Sequence, residues 1–258
     1  MSTAAPATVT PWQTPQPYES APVIADAEAY ALAGVYRTLI GIGAATATRT
    51  LQRTIGSSEL GYACDRRLAY RLSETPVTNT RDPLVTLLGT GWHAAMAETF
   101  ARINGLTGGR FLVEQPVMYR DIPGQCDLYD KTLATVVDWK SSTLDKISHL
   151  KRQGPALPYQ VQVQCYASGL IELGHDVRNV ALVFVPRDGK TLDQIWVWRT
   201  KYDRKVADDA IDRLEALRGK APQDVPATPD RLCPWCSHYL PGSTDLSVGC
   251  PGNGGGSK

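Results

Sequence analysis

The chain has no apolar run approaching the ~20 residues that a bilayer-spanning helix needs, and its opening MSTAAPATVTPWQTPQPYES lacks a basic stretch followed by an apolar one. These absences argue against a membrane-embedded or secreted protein; a soluble, cytoplasmic one is expected. Net charge is only +1, so no bulk basic signal points to nucleic acid, although a carboxylate-rich site would cancel a basic groove in that sum. Internal repeats are absent too, and with them the periodic architectures. Disulfides are not expected in an intracellular chain, so its six cysteines point to metal, cluster or plain burial.

What remains is an ordinary globular composition, 43% hydrophobic and 21% charged over 258 residues. That length buries one sizeable core, or one domain with an appended subdomain. Residues 1–25 are rich in Pro, Thr and Ala and read as a disordered leader. From Asp26 to Gln52 the composition predicts one helix, or two broken near Gly41 to Gly43. Ser57 and Ser58 before Glu59 mark a helix start, with either serine capping, and that helix would run through Cys64 and Leu68 to Leu72.

Another helix is expected from Leu84 to Ile103, with His93, Met96, Ala97 and Phe100 at helical spacing. A lone histidine on such an apolar side fits a satisfied core residue as well as a ligand. RFLVEQPVMY reads as a strand, and a polar, basic connection containing KISHLKR leads to a helix over Pro158 to Leu173. Strands follow at Asn179 to Val185 and Leu192 to Arg199, then an amphipathic helix from Tyr202 to Arg218.

The stretch from Gly124 to Lys140, GQCDLYDKTLATVVDWK, carries the chemistry. Its strand formers Val136, Val137 and Trp139 and its turn-like YDKT predict two antiparallel strands joined at Asp130 to Thr132. On a strand Asp138 and Lys140 share a face, and Asp127 can reach the same end of the sheet. Carboxylates of this kind suit Mg²⁺ or Mn²⁺ beside a substrate phosphate, with the lysine positioning water or offsetting charge. A surface salt bridge on a hairpin accounts for the triplet equally well.

Near the C-terminal end, Cys233 and Cys236 form a C-x-x-C pair, followed by Cys250 on a segment with little predicted structure. Tetrahedral zinc or a 4Fe-4S cluster needs a fourth ligand; Cys64 is the leftover candidate, and His238 a substitute if the metal is zinc. Cys126 and Cys165 fit small buried hydrophobes.

Taken in order, these features resemble one family. The lone cysteine of SSELGYACDRRLAYRL, the histidine of GWHAAMAETF, Glu114, Gly124-x-x-Asp127, Asp138-x-Lys140, Gln162-x-x-x-Tyr166 and the terminal cysteines are similar to the RecB-type branch of the PD-(D/E)XK nucleases. Within it they resemble the iron-sulfur exonucleases related to the CRISPR-associated Cas-four family and the AddB nuclease domain, over about residues 55–252. The resemblance implies an α/β fold with a restriction-endonuclease-like core, a mixed and mostly antiparallel central sheet flanked by helices, and an iron-sulfur subdomain formed by both ends of the chain. It divides the chain into a leader (1–25), an N-terminal helical segment (26–56), the nuclease domain (57–252) and a flexible tail (253–258).

It also implies roles. His93, Asp127 and Asp138 would ligate one or two divalent metals with the Val137 carbonyl, Lys140 would assist attack, Gln162 and Tyr166 would support the site and contact DNA, and Glu114 would act behind the ligands. Cys64, Cys233, Cys236 and Cys250 would hold the cluster. The expected activity is metal-dependent exonucleolytic hydrolysis of DNA, single-stranded or with a free end, in recombination, repair or phage DNA metabolism, with a possible helicase or recombination partner. CRISPR spacer processing and a catalytically weak DNA-end-binding module stapled by zinc are the alternatives.

Overall fold

The computed structural model describes residues 27–46 and 54–252. The expected leader and tail, residues 1–25 and 253–258, lie outside the described residues. Helix α1 (Ala27–Ala45) belongs to a unit of its own and runs unbroken through Gly41 and Gly43.

The second unit begins with α2 (Ser57–Leu60), α3 (Asp65–Leu72) and α4 (Leu84–Leu106), followed by strands β1 (Phe111–Tyr119), β2 (Ile122–Asp130) and β3 (Thr135–Ser142). Helices α5 (Leu144–Gln153) and α6 (Leu157–Glu172), strands β4 (Asn179–Pro186) and β5 (Trp196–Lys201) and helix α7 (Arg204–Glu215) complete it. The five strands lie in sequence order in one sheet, with β3 and β4 parallel and the other pairs antiparallel. The parallel pair requires a crossover, and α5 and α6 supply it. This is the expected mixed sheet flanked by helices.

Alternation along β4 sets the layers. Val180, Leu182 and Phe184 pack with Ile147 and Leu150 of α5 and Val163, Tyr166 and Leu170 of α6, while Val183 and Val185 face Trp92, Met96 and Phe100 of α4. A further layer covers α6, where Val161 and Cys165 pack against Leu60, Leu68 and the α7 residues Ala207, Ile211 and Leu214. Ten consecutive α6 residues, Val161 to Leu170, are therefore buried. Its two glutamines inside that run are satisfied by partners, Gln164 clamping the approach to α7 by donating to the Lys201 carbonyl and accepting from the Asp203 N–H. Cys126 and Cys165 are buried at 0% and 3% exposure, as small core residues.

Four expectations are corrected. The helix from Ser57 to Leu72 is two helices, because Gly61 lies against the start of α6. A Cβ there would sit 2.4 Å from the Pro158 Cα, so the chain breaks and Cys64 becomes the N-cap of α3 rather than a mid-helix residue. Neither serine caps α2; Gly56 holds that position. The basic connection contains a full helix, α5, whose N-cap Thr143 accepts from the Lys146 N–H. The segment from Leu192 begins as a 3-10 turn, and β5 starts only at Trp196.

One distortion shapes the sheet. Phe111 and Val113 pack on the α4 face, yet Val117, of the same parity, packs on the α6 face. The reversal falls at Glu114, which holds a φ of +49°. Its neighbour β2 reverses likewise between Cys126 and Leu128. A non-glycine residue at positive φ inside a strand is strained, and such strain persists where surrounding structure over-determines it.

Candidate functional site

The β2–β3 ladder pairs Asp130 with Thr135, Tyr129 with Val136 and Leu128 with Val137, and goes no further. In that register the next facing residues are Asp127 and Asp138. There the sheet forks: β2 continues beside β1, and β3 continues beside β4 as far as Ser142. Asp127 spans the fork with its side chain, its Oδ2 accepting the Trp139 N–H at 2.8 Å. The predicted connection at Asp130 to Thr132 sits slightly later, between Asp130 and Thr135.

Two further ligand candidates reach this point. His93, on the helix over the α4 face, places Nδ1 3.2 Å from Asp127 Oδ1. Glu114 on β1 faces Asp127 on β2, and one ligand atom each from His93, Glu114 and Asp127 fall within 4.8 Å of one another. Cis ligands of an octahedral ion with bonds of about 2.1 Å stand about 3 Å apart and trans ligands about 4.2 Å, so the spacing fits a hard divalent cation. Glu114 thus joins the candidate ligands. Its carboxylate also accepts from Gln125 Nε2 at 2.7 Å. The hydrogen bond to Asp127 raises the His93 pKa in spite of burial.

Asp138 is 1% exposed, and neither of its oxygens makes a hydrogen bond of good geometry. Its Oδ2 does form an ion pair with Lys140 Nζ at 2.6 Å. Burial pushes its pKa up to about 6, with the Lys140 charge opposing and the Asp127 charge adding to the rise. A buried carboxylate this poorly compensated fits a site built to be completed by a cation.

Lys140 Nζ donates to Gln162 Oε1 at 2.9 Å and lies 4.9 Å from the Tyr159 ring centroid. Gln162 Nε2 in turn donates to the Tyr166 hydroxyl at 2.7 Å, so the two residues spaced four apart on α6 act as one unit. Gly124 makes room for them: a Cβ there would stand 2.6 Å from Tyr166 Cε1. Val137 turns its side chain to the α4 face.

The four remaining cysteines gather elsewhere. Cys64, Cys233, Cys236 and Cys250 line one cavity with Tyr62 and Arg66. Backbone N–H groups point at its sulfurs, Asp230 N to Cys233 Sγ at 3.3 Å and Gly252 N to Cys250 Sγ at 3.4 Å. Desolvation, then the neighbouring Cys64 and Cys250, raise the Cys236 pKa, with a backbone hydrogen bond and Arg67 opposing them. His238 does not line this cavity. Fully buried, it stacks on Tyr70 with centroids 4.8 Å apart. Burial, then the charges of Arg71 and Arg67, lower its pKa to about 4, while the Pro76 carbonyl raises it slightly without meeting hydrogen-bond geometry.

No family model matches the sequence, and no curated protein matches it. Among solved structures, the chain is similar to an alkaline exonuclease from Laribacter hongkongensis, with TM-score 0.45 and 14% identity over 64% of this chain and 86% of the other. It is also similar to a phage related exonuclease from Haemophilus somnus 129PT, with TM-score 0.38 and 18% identity over 62% and 79% of the two chains. No helix among the described residues is long and apolar enough to cross a membrane.

Proposed function

We propose that the chain is a divalent-metal-dependent deoxyribonuclease that hydrolyses DNA phosphodiester bonds, acting on single strands or free ends. The observation that carries this reading is the forked sheet, which gathers His93, Glu114 and Asp127 within 4.8 Å and sets the Asp138–Lys140 pair beside them. Asp127, Asp138 and His93 would hold Mg²⁺ or Mn²⁺, with Glu114 and the Val137 carbonyl as further ligands. Such an ion would supply charge neutralisation at the phosphate and a more acidic bound water. Lys140 Nζ lies between Asp138 Oδ2 and Gln162 Oε1, oriented to donate to the attacking water or to a phosphate oxygen as charge builds there. The Trp139 N–H fixes the Asp127 carboxylate against rotation.

The cysteine cavity reads as a 4Fe-4S site held by Cys64, Cys233, Cys236 and Cys250. Backbone N–H groups aimed at sulfur stabilise thiolates and suit such a cluster. His238 stacks on Tyr70 and does not line the cavity, which leaves the four cysteines as its candidate ligands.

Digestion of end-labelled single-stranded DNA with Mn²⁺ tests the first reading. Progressive shortening that Asp138→Ala abolishes in a folded protein is expected, and unchanged activity in that variant overturns the site. The spectrum and metal content of anaerobically purified protein test the second: a broad band near ~400 nm with about four irons is expected, and zinc without iron overturns it. A role in recombination, repair or phage DNA metabolism is compatible with this chemistry, and CRISPR spacer processing is the alternative.

A further inference from the structure

The chain of contacts behind Lys140 does not stop at Tyr166. The Ser57 side chain, at the first position of α2, lies beside the Tyr166 hydroxyl without meeting hydrogen-bond geometry. Ser57 is 3% exposed, and its Oγ crowds the same point as the Tyr166 ring: a Cβ built on Gly124 would meet Tyr166 Cε1 at 2.6 Å and Ser57 Oγ at 3.2 Å. Gly124 lies three residues before Asp127 on the same strand. A serine at N1 of a four-residue helix is not explained by capping, since Gly56 is the N-cap.

We infer that Ser57 is a positioning residue for the proposed hydrolysis, fixing the Tyr166 hydroxyl so that Gln162 presents Oε1 to the Lys140 ammonium. The geometry supplies each link. Lys140 has a flexible four-carbon stem, and an ammonium is a point charge with no directional fork of its own. It is restrained by Asp138 Oδ2 on one side and Gln162 Oε1 on the other. A glutamine side chain turns about its last torsion, so Oε1 faces the lysine only while Nε2 is engaged, and Nε2 is engaged by Tyr166. Tyr166 is buried and aligned by Ser57 and by the absence of a side chain at Gly124. Ser57 touches neither substrate nor ligand atoms, so its effect should fall on turnover rather than on DNA binding.

This inference rests on the nuclease reading, and its test separates the two. Turnover and DNA affinity are measured for wild type, Ser57→Ala, Tyr166→Phe and the double variant with Mn²⁺ and end-labelled single-stranded DNA. Ser57→Ala is expected to lower kcat about tenfold while KM and DNA affinity change less than about twofold. Added to Tyr166→Phe it is expected to cost less than about twofold more, because the relay is already cut. An undiminished kcat in Ser57→Ala, or the same loss in both backgrounds, overturns the inference while leaving the nuclease reading intact. Inactive wild-type protein overturns the nuclease reading instead; a crystal structure of Ser57→Ala then decides the relay, with loss of the Lys140–Gln162 contact expected and an unmoved contact overturning it.

Discussion

Asp138 shows how a single residue can be poor for the fold and necessary to the site. Its carboxylate is buried with one ion-pair partner and a pKa pushed up to about 6, so its charge weakens the metal-free fold near neutral pH. Asp138→Asn should therefore leave a metal-free protein with a melting temperature at least as high as wild type, while abolishing the rise that Mn²⁺ produces. Differential scanning with and without Mn²⁺ reads both effects. Asp130, three residues beyond Asp127 on the same strand, is the opposite case. Burial would push its pKa up, but the Arg110 guanidinium and the Leu133 and Thr132 N–H groups outweigh it and hold it down. A depressed carboxylate stabilises the fold above its unfolded value of about 3.9, and that stability is lost as pH falls through the lower folded value. Asp130→Asn should cost about 1–3 kcal/mol at pH 7. In urea melts its deficit should shrink toward zero in strong acid.

At the scale of elements, legibility followed locality. The β2–β3 hairpin and α4 were readable because their apolar spacing is carried by neighbouring residues, and Asp138 and Lys140 follow from a two-residue period. Glu114 is not marked as a candidate ligand by its sequence neighbours, because nothing local signals its positive φ. The hairpin register does place it opposite Asp127, since Val113 pairs with Leu128 and Gln115 with Cys126. The break before Cys64 was not legible, because its cause, the Pro158 backbone, lies far along the chain. The alternation of YQVQVQCY was ambiguous since α6 is covered on both sides and shows no polar face. Gly61 supplies the test at this scale. Gly61→Ala forces α2 from α6 and should cost about 3 kcal/mol, a fall of about 5–10 °C in melting temperature. It should lower turnover too, because Ser57 moves with α2.

At the scale of the whole molecule, the two ends of the second unit hold each other. Arg66 Nε donates to the Val225 carbonyl at 2.8 Å, Tyr70 OH to the Leu246 carbonyl at 2.6 Å, and the Asn79 side chain to the carbonyls of Pro234 and Cys236 at 2.9 Å. Truncation after Arg218 should expose the Tyr70 and His238-facing side of α3 and remove three of the four cysteines. Insoluble protein, or soluble protein that binds a hydrophobic dye, is the expected outcome; a soluble, cooperative melt would show that the C-terminal segment is dispensable. The same closure has a kinetic side. Leu60, Leu68 and Tyr70 are made well before their partners on α6, on α7 and around 225–250. Such sequence-distant contacts are slow to form, so an apolar segment waits unpaired until those elements have been made. The α2–α3 segment is then where a chaperone would bind the nascent chain, and Ser57 reaches the Lys140 relay only once α6 has been made.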